Sequence, residues 1–160
     1  MAVTEADIAE VSRQLGRPAR DILDIAARCV CGRPLVVKTK PRLENGTPFP
    51  TLYYLSQPAA TAAVSTLEAS GYMAELQELV TQDEEIASGY QAAHESYLAE
   101  REAIEKVEEI EGFSAGGMPV RVKCLHALVG HSLAKGAGVN PIGDLALAAL
   151  SWSPLKCQCV

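Results

Sequence analysis

The chain has 160 residues, 48% of them hydrophobic and 21% charged, and a formal net charge of −6. That length supports one buried core without staples, and that composition excludes wholesale disorder. Its longest uncharged apolar stretch, 145–150, is far too short to span a bilayer, so no membrane insertion is expected.

In chain order, Thr4 caps a first helix through Ile8, Val11 and Leu15, with Asp7 at the third helical position and Gly16 and Pro18 beyond its end. The spacing of Ile22, Leu23, Ile25 and Ala26 after Pro18 predicts a second, short helix that ends before Gly32. Leu35-Val-Val37 and 51–55 read as two strands around an Asn45-Gly46 turn. Pro58 opens a helix that closes at Gly71. From 72 to 111 the composition is helical throughout. A stripe of Leu79, Asp83, Ile86, Tyr90, Ala93, Tyr97, Glu100, Ile104 and Val107 predicts one long amphipathic helix or a helix pair, with Gly89 as the place for a bend. Pro119 is read as opening a further helix through Leu133, and a last short helix covers about 142–150. The expected architecture is α+β, predominantly α-helical with a small antiparallel β element. Residues 1–150 form a single domain in this reading, followed by an irregular tail over 151–160.

Charge is unevenly distributed. Residues 68–111 hold thirteen acids against Arg101 and Lys106, while 28–43 hold five bases and no acid. A small basic patch beside a long acidic element would repel a polyphosphate, so no nucleic-acid partner is expected. The acidic stripe offers a homo-oligomer contact or a face for a coiled-coil protein, unless it packs on its own domain. No export signal precedes the five cysteines, which points to the cytoplasm, where thiols bind metals, react or pack as small hydrophobes.

Three short motifs concentrate the chemistry: Cys29-Val-Cys31, Cys124-Leu-His126 and Cys157-Gln-Cys159, with His131 five residues after His126. Thiolate and imidazole ligands suit zinc, and the expected set is Cys29, Cys31, Cys124 and His126, brought together between the early chain and the late helix. A buried thiol–imidazole cluster without metal is the plain alternative. A third is a cysteine enzyme, with Cys124 as nucleophile and His126 or His131 as base. Gly116 and Gly117 precede the expected Pro119 helix, with Arg121 and Lys123 in its first turn. These four form a candidate site for a small anionic ligand. Helical positions i and i+2 point apart, which argues against Cys124 and His126 sharing a site.

The ordered motifs Cys29-x-x-Gly32-x-Pro34, Phe49-Pro-Thr-Leu-Tyr-Tyr-Leu55, Gly116-Gly-Met-Pro-Val-Arg-Val-Lys-Cys-Leu-His126, His131 and Asn140-Pro-Ile-Gly143 resemble the bacterial domain-of-unknown-function family 501. The Tyr53-Tyr54 and Ala115-Gly-Gly-Met118 variants are similar to its actinobacterial branch. The resemblance carries no activity over. By gene association it implies a cytosolic role near cell division or phosphate metabolism. It marks Cys29, Cys124, His126, His131 and Asn140, and implies a cysteine where this chain has Gln57. Cys31 then stands in as the replacement ligand, while Cys157 and Cys159 fall outside the shared region.

Overall fold

Thr4 and Asp7 open the fold as a reciprocal cap. The Asp7 N–H donates to Thr4 Oγ1, and the Thr4 N–H donates to Asp7 Oδ2, both at 3.1 Å. The computed structural model describes residues 3–159, so expectations touching positions 1, 2 and 160 lie outside it. Helix α1 (Glu5–Leu15) ends at Gly16 in the left-handed region. Arg28 donates to both Asp7 oxygens at 2.9 Å, which ties α1 to the first strand. That guanidinium holds the Asp7 carboxyl well below the usual carboxylate range.

The second helix expected around Ile22 is instead strand β1 (Ile22–Arg28), the outer member of a three-stranded antiparallel sheet. It pairs with β2 (Pro34–Thr39), which pairs with β3 (Tyr53–Leu55). Register irregularities between Ile22 and Asp24, Ile25 and Ala27, and Ala27 and Arg28 disrupt strict alternation along β1. Its apolar residues therefore fall at spacings that mimic a short helix. Between β2 and β3 the Asn45-Gly46 turn forms as expected: the Gly46 N–H donates to the Leu43 carbonyl, and the Leu43 N–H to that of Thr47.

β2 is buried on both faces, as its unbroken apolar run requires. Val37 faces a small cluster with Val11 and Ile25 under α1. Val36 faces the main core. That core is roofed by α2 (Pro58–Ala69), α3 (Tyr72–Gln82), α4 (Glu84–Ile104), α5 (Leu125–Lys135) and α6 (Pro141–Ala149). The acidic segment is a helix pair broken at Asp83, not at Gly89. Asp83 Oδ1 accepts from the N–H groups of Glu85 and Ile86 and so caps α4. Gly89 lies inside α4 against Pro141, where a Cβ would come within 3.2 Å of the proline ring. Tyr90, Ala93 and Tyr97 of the stripe are buried in the chain's own core.

Past α4 the chain makes one 3₁₀ turn, Glu108–Ile110. Arg101, 2% exposed, holds this turn and the loop after it. Its guanidinium donates to the carbonyls of Pro50, Ile110, Phe113 and Ser114 at 2.5–3.3 Å. Arg101→Leu would leave these carbonyls unpaired inside the fold. It is expected to cost about 3 kcal/mol in urea unfolding.

The helix expected from Pro119 starts only at Leu125. The N–H groups of Arg121 and Lys123 turn back to the carbonyls of Gly117 and Gly116, which holds 119–124 out of the helix. Cys124 becomes the residue that caps α5.

Candidate metal centre

The site begins with the turn between β1 and β2. Gly32, at φ 92°, lets the chain reverse over Cys29-Val-Cys31. The Cys29 N–H donates to the Arg33 carbonyl and the Gly32 N–H to the Cys29 carbonyl, both at 2.8 Å. Cys29 and Cys31, two residues apart, would share a face even on an extended strand, and in this turn their sulfurs lie within 4.8 Å of each other. The backbone N–H of Cys31 falls on the Cys29 sulfur, and that of Arg33 on the Cys31 sulfur.

The irregular tail then returns to this turn. Trp152 is buried in the main core, and Arg33 Nη1 donates to the Cys159 carbonyl at 3.4 Å. The Gln57 side chain caps α2 by accepting from the Ala60 N–H at 2.7 Å. Its Nε2 donates to Cys159 Sγ at 3.5 Å. The result is a four-cysteine cluster of Cys29, Cys31, Cys157 and Cys159, with all four sulfurs within 4.8 Å of one another and none in a disulfide. A tetrahedral zinc with bonds of about 2.3 Å places its sulfurs about 3.8 Å apart, so a small contraction closes the set on an ion.

Without an ion the Cys29, Cys31 and Cys159 thiols titrate together. The Arg33 N–H is the main force drawing Cys31 down to about 6, assisted by donation from the Cys157, Cys29 and Cys159 thiols. Burial pushes Cys159 up to about 12 and Cys29 above its ordinary value. The cluster therefore carries one favoured thiolate, at Cys31. A cation is what would let Cys29 and Cys159 ionise as well.

A second group joins Glu68, Cys124 and His126, whose ligand atoms also lie within 4.8 Å of one another. His126 Nδ1 is 3.3 Å from Glu68 Oε2, and that oxygen also accepts the Leu125 N–H at 2.9 Å. His126 Nε2 is 3.2 Å from Ser65 Oγ and 3.3 Å from the Thr61 carbonyl. Thr61, Ser65 and Glu68 recur along one face of α2, so a single helix surface frames the ring. The imidazole lowers the Cys124 thiol, and that thiol together with Glu68 raises His126.

A family model described as "Protein of unknown function (DUF501)" matches residues 25–148. The chain belongs to the DUF501 family. No curated protein and no solved structure matches it. The DUF501 match contains Cys29, Cys31 and the Glu68–Cys124–His126 group, but stops short of Cys157 and Cys159. This DUF501 chain thus completes its four-cysteine cluster with residues beyond the matched segment. Gln57, where the family resemblance implies a cysteine, lies directly against Cys159.

The ligand set expected from sequence is divided between the two groups, Cys29 and Cys31 in one, Cys124 and His126 in the other. The reason is the tail, which fills the place beside Cys29 and Cys31 that the late helix was expected to reach. Because Cys124 caps α5 and does not lie within it, Cys124 and His126 do face one site. His131 lies elsewhere, fully buried, its ring stacked on Tyr53 and edge-on to Tyr97. Asn140 Oδ1 accepts the Gly143 N–H, so its amide nitrogen faces His131 Nδ1 as a donor at 3.1 Å. Burial holds His131 down to about 4. These contacts make His131 a packed core residue.

The proposed anion site changes as well. Arg121 and Lys123 precede the α5 start and do not occupy its first turn, so they meet no conflict with the helix dipole. The Gly116 and Gly117 carbonyls take up the returning chain, and a Cβ on Gly117 would meet the Arg121 carbonyl at 2.8 Å. Sequence reasoning missed Glu68 entirely. It noticed the repeated C-x-C spacing of Cys157-Gln-Cys159 without pairing it to Cys29-Val-Cys31.

Proposed function

We propose that this DUF501 protein is a cytoplasmic zinc protein, in which Cys29, Cys31, Cys157 and Cys159 hold one structural zinc ion. The supporting observation is the convergence of four free thiols from the two ends of the chain on one point. Four sulfur ligands leave no open position, which is the mark of a structural site and not a catalytic one. An all-thiolate set selects zinc or iron over the hard cations. The ion fastens the tail to the β1–β2 turn, and with it Trp152 over the core. No helix among the described residues is long and apolar enough to cross a membrane. Reduced thiols in this number fit a reducing compartment.

Elemental analysis of untagged protein purified without chelator tests this. Zinc bound to wild type that is lost at this centre in Cys157→Ser/Cys159→Ser supports the proposal. Iron as the occupant, or a metal content unchanged in the double variant, contradicts it.

A further inference from the structure

We propose that Glu68, Cys124 and His126 form a second metal site, holding a zinc-class divalent cation through three protein ligands with its fourth position open to the neighbouring cleft. The cleft, of about 470 Å³, is lined by Cys124 and His126 together with Gln14, Thr51, Tyr54 and Ser56. Nothing in the four-cysteine centre contributes to it.

The argument rests on which atoms face each other. A carboxylate oxygen, a thiol sulfur and a ring nitrogen meet within 4.8 Å. Ionised, the first two only accept hydrogen bonds. The Thr61 carbonyl also only accepts, so at 3.3 Å it favours the proton on His126 Nε2. That leaves the Nδ1 lone pair aimed at Glu68 Oε2. Three electron-pair donors then point at one place, a conflict that either a second proton on Nδ1 or a bound cation resolves. The backbone carbonyl behind the imidazole is the usual outer partner of a metal-binding histidine, fixing its tautomer and orientation.

Distances agree. Tetrahedral bonds of about 2.0–2.1 Å put a nitrogen and an oxygen ligand about 3.3 Å apart, and Nδ1 lies 3.3 Å from Oε2. A mixed sulfur, nitrogen and oxygen set suits zinc, cobalt(II) or iron(II) better than magnesium or calcium. The ring is shared: the Cys124 thiol hydrogen-bonds to it, Glu68 lies on Nδ1, and Ser65 and Thr61 lie on Nε2. Three protein ligands beside an open cleft are the pattern of a site that binds water or an exchangeable ligand.

Cobalt(II) added to metal-free, reduced protein tests the site by its sulfur-to-cobalt charge-transfer band. Wild type is expected to bind two equivalents and Cys124→Ser one. Cys157→Ser/Cys159→Ser should retain one, with azide perturbing its visible spectrum through the open position. In that background, His126→Gln or Glu68→Gln should weaken binding at least ~10-fold. Circular dichroism verifies that each variant is folded, and Cys124→Ser in the otherwise intact chain decides the matter if the tail variant is not. The proposal is overturned if wild type and Cys124→Ser bind the same number of equivalents. It is also overturned if the retained cobalt ignores azide, or if folded Cys157→Ser/Cys159→Ser binds none. That last result would leave a metal-free thiolate–imidazolium pair. Failure of the four-cysteine reading is distinct: the tail variant would then bind as many equivalents as wild type.

Discussion

Stripping the proposed metal from the four-cysteine centre is expected to destabilise the protein by about 4 kcal/mol, comparable to opening a cross-link around a loop of ~100 residues. In the proposed centre an ion would join Cys29 and Cys31 to Cys157 and Cys159 and so close almost the whole chain on itself. Without it, the tail is held by Trp152 packing, the Arg33 contact to the Cys159 carbonyl and the Gln57 contact to its sulfur. Thermal unfolding of wild type with and without chelator, beside Cys157→Ser/Cys159→Ser, measures the effect. The double variant should match chelated wild type and respond little to chelator itself. Equal stability of wild type with and without chelator would show that the turn and tail are held by packing alone.

Acid should destabilise the fold through His131. Burial is the largest cause of its depressed pKa, about 4 against an ordinary 6.5. A second proton would also have to go on Nδ1, against the Asn140 amide donor. The unfolded chain takes up this proton as pH falls through 6.5, whereas the folded chain resists until about 4. Stability is therefore full above 6.5 and falls by about 3 kcal/mol on the way to 4. His94, also lowered by burial, adds in the same direction, and His126, raised by Cys124 and Glu68, opposes it. The difference between wild type and His131→Leu removes both contributions. In urea titrations the wild type should lose about 3 kcal/mol more than His131→Leu between pH 6.5 and 4. Parallel pH profiles would mean that His131 is protonated inside the fold.

Much of the helical framework was legible because it is written in local signals. Thr4 with Asp7, Pro58 and the Asn45-Gly46 turn each act within a few residues, and each forms where the sequence places it. β1 was not legible, because its pairing irregularities hide the two-residue period. The start of α5 was misplaced because Pro119 is permissive at a helix start but does not compel one. The return of 119–124 to Gly116 and Gly117 is a tertiary contact with no local signature.

The site divides along the same line. Cys29, Cys31, Cys124 and His126 stood out by residue type, but which of them meet depends on the path of the tail. Trp152 docking in the core carries Cys157 and Cys159 across to the β1–β2 turn, and no periodicity encodes that. Glu68 was hidden because thirteen acids in 68–111 make any one of them look like solvated surface. Only the position of α2 against α5 sets it apart. The two matching C-x-C motifs were the available clue, since equal spacing at distant positions is what a pairwise ligand set would show.

X-ray absorption at the zinc edge on the Cys124→Ala variant tests the central claim most directly, because that substitution removes a ligand from the second site and leaves the four-cysteine set intact. The expected first shell is four sulfurs at about 2.3 Å. A shell dominated by nitrogen or oxygen, or protein with no zinc at all, would contradict the Cys29, Cys31, Cys157 and Cys159 centre.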